Sequence, residues 1–208
     1  MGALKIVERS TSTIVTLDEV KQHIRRLDTN EDDELILRYL RAATQYVENW
    51  TGLALIDQTW DYYLDSFPAT INNINQPILL PRSPLLELLG GFYRDSSSLV
   101  ETQFSDFYVD YAHRPGRIYL SGTGTWPATL DTSQNAVRFR FRAGYLDEEG
   151  SPATSEGPVP EDIKVAVMIY AQTMYENREA VVIGTIVAPM PWSAENILRQ
   201  YRVENSLA

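Results

Sequence analysis

The chain has 208 residues, 44% hydrophobic and 22% charged, proportions that suit a globular protein with a proper core. Its net charge is −10 and it has no cysteine, which excludes disulfides, thiolate metal sites and nucleic-acid binding through the overall field. No apolar run approaches the roughly 18 residues of a membrane span, and MGALKIVERSTST lacks the basic-then-apolar order of a secretory signal, so no membrane partner and no leader are expected.

Residues 1–15 carry no clear period and read as an N-terminal arm, flexible or ordered by a partner. Thr16-Leu17-Asp18-Glu19 is a capping box. It opens a short helix with Leu17, Val20, Ile24 and Leu27 as its apolar stripe. The spacing then predicts a second helix over about 31–50. Leu35, Ile36, Tyr39, Leu40, Ala43, Tyr46, Val47 and Trp50 share one arc, while Arg38, Arg41, Gln45 and Glu48 lie opposite. Gly52 stands where a helix stops. Residues 16–56 therefore read as an αα-hairpin.

From Gln58 the period changes to two. Strands are predicted over about 58–65, 78–80, 85–94, 104–110, 117–120 and 136–143, in a small antiparallel sheet or barrel-like sandwich spanning 57–146. Residues 147–159 form an acidic loop rich in Gly, Ser and Pro. A long core helix follows over 160–182. Pro160, Glu161 and Asp162 suit its first turn. Ile163, Val167, Tyr170 and Met174 make one stripe, and Val165, Met168 and Ile169 lie on the opposite side. A helix apolar on two sides is one covered twice, by its own core and by something else. Residues 183–208 form a C-terminal segment, first apolar and Pro-interrupted, then a last helix capped by Ser193 and carrying Ile197, Leu198 and Tyr201. The expected fold class is α+β: a helical-bundle core, made by the N-terminal helix pair and the long C-terminal helix, with a small antiparallel β region inserted.

Catalytic patterns are scarce. The histidines, His23 and His113, lie ninety residues apart without metal-ligand spacing. There is no nucleophile elbow and no P-loop. An EF-hand reading of Asp28 to Asp32 fails, because Asp33 stands where the turn glycine belongs and Tyr39 where the bidentate glutamate belongs. No catalytic, cofactor or metal residues are expected, and no enzyme. Arg138, Arg140 and Arg142 alternate with Phe139 and Phe141, so on a strand the arginines share one face. That face is either a solvated exterior over a phenylalanine-lined core or a stripe for an acidic partner; the chain's own acidity favours protein over DNA.

The order and spacing of several segments resemble the small head–tail connector, or adaptor, proteins of long-tailed bacteriophages and related gene-transfer particles. The likeness runs from about Thr16 to Arg202. It is carried by LDEVKQHIRRL (17–27), EDDELILRYLRAATQYVENWTGLAL (31–55), QTWDYYLDSFP (58–68) and ILLPRSPLLEL (78–88). FYVD (107–110), PGRIYL (115–120), Trp126-Pro127, VRFRFRAGY (137–145), PEDIKVAVMIYAQTMYENREA (160–180) and ILRQYR (197–202) continue it. The 147–158 stretch is longer than the family's pattern, and the turn Asp95 to Ser98 lacks its usual glycine.

The resemblance implies a structural virion protein at the head–tail junction, assembled in the bacterial host cytoplasm. Such proteins form a ring, usually dodecameric, beneath the portal protein. The ring extends the channel through which double-stranded DNA passes without sequence-specific binding. It also offers an attachment surface to a tail-side connector or tail-terminator protein. On this reading Tyr175, Glu176, Asn177, Arg178, Arg38 and Arg41 lie at the subunit boundary. Ile183, Ile186, Val187, Trp192, Ile197, Tyr201 and Arg202 dock on the portal, and Arg138, Arg140 and Arg142 form a partner stripe. The alternatives are a tail-completion or terminator protein, and a small ligand-binding module lined by Trp60, Tyr62 and Tyr93.

Overall fold

Four helices and ten strands, in about equal content, form the described part of the chain. The computed structural model describes residues 2–26, 30–68, 70–71, 74–95, 100–121, 125–129, 134–146, 156–177 and 191–203. The chain divides into a β unit, residues 1–10, 56–157 and 203–208, and a helical unit, residues 11–55 and 158–202. This overturns the expected helical-bundle core with a small inserted β region. The β unit matches the helices in content, and it is not a simple insertion, because the first ten residues belong to it.

The β unit holds β1 (Ala3–Arg9), β2 (Gln58–Leu64), β3 (Thr70–Ile71), β4 (Ile74–Asn75), β5 (Ile78–Leu79), β6 (Leu85–Arg94), β7 (Glu101–Phe104), β8 (Phe107–Asp110), β9 (Arg117–Leu120) and β10 (Val137–Ala143). A five-stranded antiparallel sheet runs β1-β2-β10-β6-β7, a three-stranded one runs β5-β9-β8, and β3 and β4 pair alone. β1, where no period was legible, is an edge strand. Six of its seven residues are exposed, so neither face imposes the alternation that betrays a half-buried strand.

β10 sits at the centre of the larger sheet and alternates strictly. Val137, Phe139, Phe141 and Ala143 are buried, and the three arginines between them are partly exposed. The buried face gathers rings. Phe67 stacks on Trp126 at 4.9 Å and 9°, and meets Phe139 edge-on at 6.4 Å; Phe107 lies 6.2 Å from Phe139. These offset and edge contacts suit the ring quadrupoles. Two glycines let backbone and ring close up. A Cβ on Gly91 would stand 2.8 Å from Phe139, and one on Gly144, at φ +147°, would stand 2.5 Å from the Ile56 carbonyl oxygen. The second neighbour is backbone and cannot yield. Gly144→Ala is therefore expected to cost more than the ~1 kcal/mol of an unobstructed glycine replacement, read as a lowered denaturation midpoint.

The helical unit holds α1 (Leu17–His23), α2 (Asp33–Thr51), α3 (Glu161–Glu176) and α4 (Trp192–Arg199). The Glu19 backbone N–H donates to Thr16 Oγ1 and the Thr16 N–H to Glu19 Oε2, closing the expected capping box. Buried Lys21 donates from Nζ to Asn30 and Asp33, each at 2.8 Å, and so ties α1 to the start of α2. Gly52 ends α2 at φ 78°, a left-handed cap that glycine takes without strain. α3 packs on both α2 and α4. Ile36, Leu40, Ala43 and Val47 from α2 share that core with Ile163, Val167 and Tyr170 from α3 and Leu198 from α4. Among the described residues no helix is long and apolar enough to cross a membrane.

Candidate assembly surfaces

Three surfaces collect the residues singled out from the sequence: the end of α3 with the outer side of α2, the C-terminal helix, and the arginine face of β10. On the first, alternation of buried and exposed turns decides which side chains a neighbour could reach. Tyr175 is buried at 8% exposure, and its hydroxyl donates to Asp32 Oδ2 within the same unit. It anchors α3 to the N-terminal end of α2, its ring falling on the core stripe one turn beyond Ala171. Glu176 and Asn177 are exposed. Gln172 donates to Glu176, and Asn177 donates to the Thr173 carbonyl, so both are held in place. Arg38 and Arg41 are exposed on α2; Arg38 lies 3.7 Å from Glu34, both ends largely in water, a pair of little energetic weight. Arg178 lies outside the described residues.

On the second surface, α4 follows Pro191 and presents Trp192 at 77% exposure, while Ala194 and Leu198 hold the helix in its core. Ile197 is half-buried. Tyr201 donates its hydroxyl to Asp162 at 2.8 Å, and Arg202 sits 5.6 Å over the Trp50 ring. Both of these side chains contact their own unit, Arg202 while remaining exposed, and Trp192 is the large apolar group that faces outward. Ile183, Ile186 and Val187 lie outside the described residues.

The third surface departs from a bare basic stripe. Arg140 donates from Nε and Nη2 to the two oxygens of Asp61 at 2.7 and 2.8 Å; Arg142 does the same to Asp57 at 3.2 and 2.6 Å. Arg138 donates to Glu101 at 3.1 and 2.7 Å and lies 4.3 Å over the Phe92 ring. These are fork-to-carboxylate pairs, the geometry a guanidinium is shaped for. Burial of Asp61 would raise its pKa, but the hydrogen bonds and charge of Arg140, then of Arg138, outweigh it and hold the carboxyl below its usual range. Hydrogen bonds from Arg138 do the same for Glu101. The face is thus a charge ladder neutralised within its own sheet. Its carboxylates were missed in the sequence, although Asp61, next to Trp60 in QTWDYYL, had to point to the opposite face of the sheet, where it lies buried beneath the arginines.

Beside the ladder lies a trough of about 620 Å³. Two β-bulges frame it. Register shifts leave Val7 as the extra residue of β1 and Leu89 as an extra residue of β6, and both side chains stand exposed, at 44% and 42%. A bulge re-aims a side chain that regular pleating would place elsewhere. No sequence signal marks these two, since a bulge is a property of the pairing and not of either strand alone. Among the described residues no group of three His, Asp or Glu could hold a metal ion.

These folded units have known counterparts. Proteins of gene transfer agent (GTA) particles share the fold across nearly the full length. A chain from the virion of a native GTA particle matches with TM-score 0.72 and 22% identity, covering 96% of this chain and 95% of that one. Chains from the neck of an empty GTA particle computed with C6 symmetry and from the neck of a native particle computed with C12 symmetry match at TM-scores 0.71 and 0.65. Each is 22% identical over 97% of this chain and 95% of the other. Residues 14–86 match the model of the phage gp6-like head-tail connector protein family. The resemblance read from the motifs is therefore found again, in that family and in the fold of particle neck proteins. No curated protein matches the chain.

Proposed function

We propose that this chain is a structural head–tail connector: a ring-forming subunit that sits beneath the portal of a phage-like particle, extends its DNA channel and gives the tail a surface to bind. The observation that carries the reading is the likeness in fold, over 96–97% of the chain, to proteins of the GTA particle and its neck. The gp6-like connector match over residues 14–86 supports it from sequence. A twelve-fold ring is the count we adopt, from the C12 symmetry of one such neck. A net charge of −10 suits a channel wall past which DNA slides, because no excess of Lys and Arg is present to release counterions and hold the phosphates.

In this reading the 183–203 segment docks on the portal, with exposed Trp192 as its anchor. Large aromatic side chains dominate such contacts. Trp192→Ala is expected to leave unfolding within about 0.5 kcal/mol of the parent, as surface changes do, while cutting portal binding at least about tenfold. Chemical denaturation checks the first half and co-purification of the two proteins the second. Equal portal capture by Trp192→Ala and the parent would remove Trp192 from the docking surface. Capture of tail protein without portal would favour a tail-completion role instead.

A further inference from the structure

We propose that buried Lys21 forms a covalent amide with Asn30, an intramolecular isopeptide cross-link that the chain makes by itself with Asp33 as the general acid–base group. The proposal stands on the helical unit alone and is independent of the ring reading. The three groups such a reaction needs, an amine, a carboxamide and a carboxylate, meet at one point. Lys21 follows buried Val20 on α1, with Leu17 and Ile24 one turn to either side on the same face. Its side chain is only 6% exposed. Nζ lies 2.8 Å from Asn30 Oδ1 and 2.8 Å from Asp33 Oδ1. The two acceptors are held together, because the Asp33 backbone N–H donates to the Asn30 carbonyl oxygen in the turn that opens α2. A carbonyl bond is about 1.23 Å long, so the Asn30 side-chain carbon stands no more than about 4 Å from the amine. That is a small movement from the ~3–3.5 Å of reacting atoms poised for attack.

The step balances within these three side chains. Asp33 takes a proton from the Lys21 ammonium and frees the lone pair on Nζ, the form in which a lysine is a nucleophile. That pair attacks the Asn30 side-chain carbon and forms the new C–N bond, while the carbonyl π pair moves to Oδ1. Its return expels Nδ2 with the electron pair of the breaking Cγ–Nδ2 bond. Asp33 relays the two protons shed by the amine to that nitrogen, which leaves as an ammonium ion. The ammonium and carboxamide thus become a secondary amide and NH4+, with Asp33 regenerated and no oxidant or co-reactant consumed. Asn30 is exposed, so the leaving group has a way out, while the amine behind it is shielded from water. A salt bridge would need only Asp33; Asn30 beside it supplies the carbon that the amine attacks. The product fastens α1 to the first turn of α2 with a bond that unfolding does not break.

Intact mass of the purified full-length chain is the test. The cross-linked chain should be lighter than its sequence by about 17 Da, one ammonia. Trypsin does not cut after an acylated lysine, so residues 10–25 should appear joined to residues 27–38 as one branched peptide. Lys21→Arg should restore the full mass, and Asp33→Ala should slow the loss at least about a hundredfold, the usual range of a general acid–base group. The parent alone decides the matter where a variant fails to fold. A full-mass parent after weeks in buffer, cut cleanly after Lys21, would overturn the cross-link. So would the same mass loss persisting in Lys21→Arg on a linear peptide, the mark of an asparagine closing on its own backbone. Asp33→Ala reacting at the parent's rate would overturn the role of Asp33.

Discussion

Phe139→Ala is expected to destabilise the β unit by about 3–5 kcal/mol, the cost of emptying a buried aromatic site. Phe139 is fully buried on the central strand and touches Phe67 and Phe107 through edge contacts. Its cavity would be slow to close, because Gly91 directly opposite has no side chain to move in. Against a typical total of about 5–15 kcal/mol for a domain, that loss removes a large share of the stability. Chemical denaturation followed by near-ultraviolet signal measures it. A loss under about 1 kcal/mol would mean that the ring cluster is not the core of the β unit.

Asp61→Ala carries the second large effect, about 2–3 kcal/mol. Removing one partner of a fully buried pair costs about 3–5 kcal/mol, but Arg140 is 39% exposed and can turn to water while the Asp61 side chain is only 5% exposed. The pH dependence has a definite sign. Asp61 and Glu101 are held below their ordinary pKa by the arginines, so their stabilising contribution is complete above the unfolded value, about 4 for a carboxylate. It is lost as pH falls through the lower folded value. The parent should therefore lose stability steeply below pH ~4, and Asp61→Asn should flatten that slope. Equal slopes in parent and variant would show that the ladder contributes nothing to acid sensitivity.

Much of the local structure was legible because burial on one face writes itself into the sequence. Leu85–Arg94 and Arg117–Leu120 fall where alternation places them, α2 lies within two residues of its periodic segment, and α3 starts one residue after its own but ends at Glu176, short of the expected 182. Of the stripe Ile163, Val167, Tyr170 and Met174, the first three are buried in their own unit and Met174 is half-buried; on the other side Val165 is exposed, and Met168 and Ile169 are half-buried. What failed was the weighting of helix against sheet. Strand β1 has no buried face to announce it, and the sheet is completed by partners far apart in the chain, such as Ala3 with Tyr63. The arginine face shows the same limit. Strand alternation placed Arg138, Arg140 and Arg142 together, but only pairing with β2 and its neighbours brought Asp61, Asp57 and Glu101 to neutralise them. The polar run after Tyr175 hid that its own position still faces the core.

The central claim is that copies of this chain close into a ring on portal. Native mass measurement of the full-length chain, alone and mixed with portal, tests it most directly. The account predicts one portal-bound species carrying a fixed whole number of copies, twelve if the ring follows the C12 neck. A chain that stays monomeric in the presence of portal and never co-migrates with it would contradict the account.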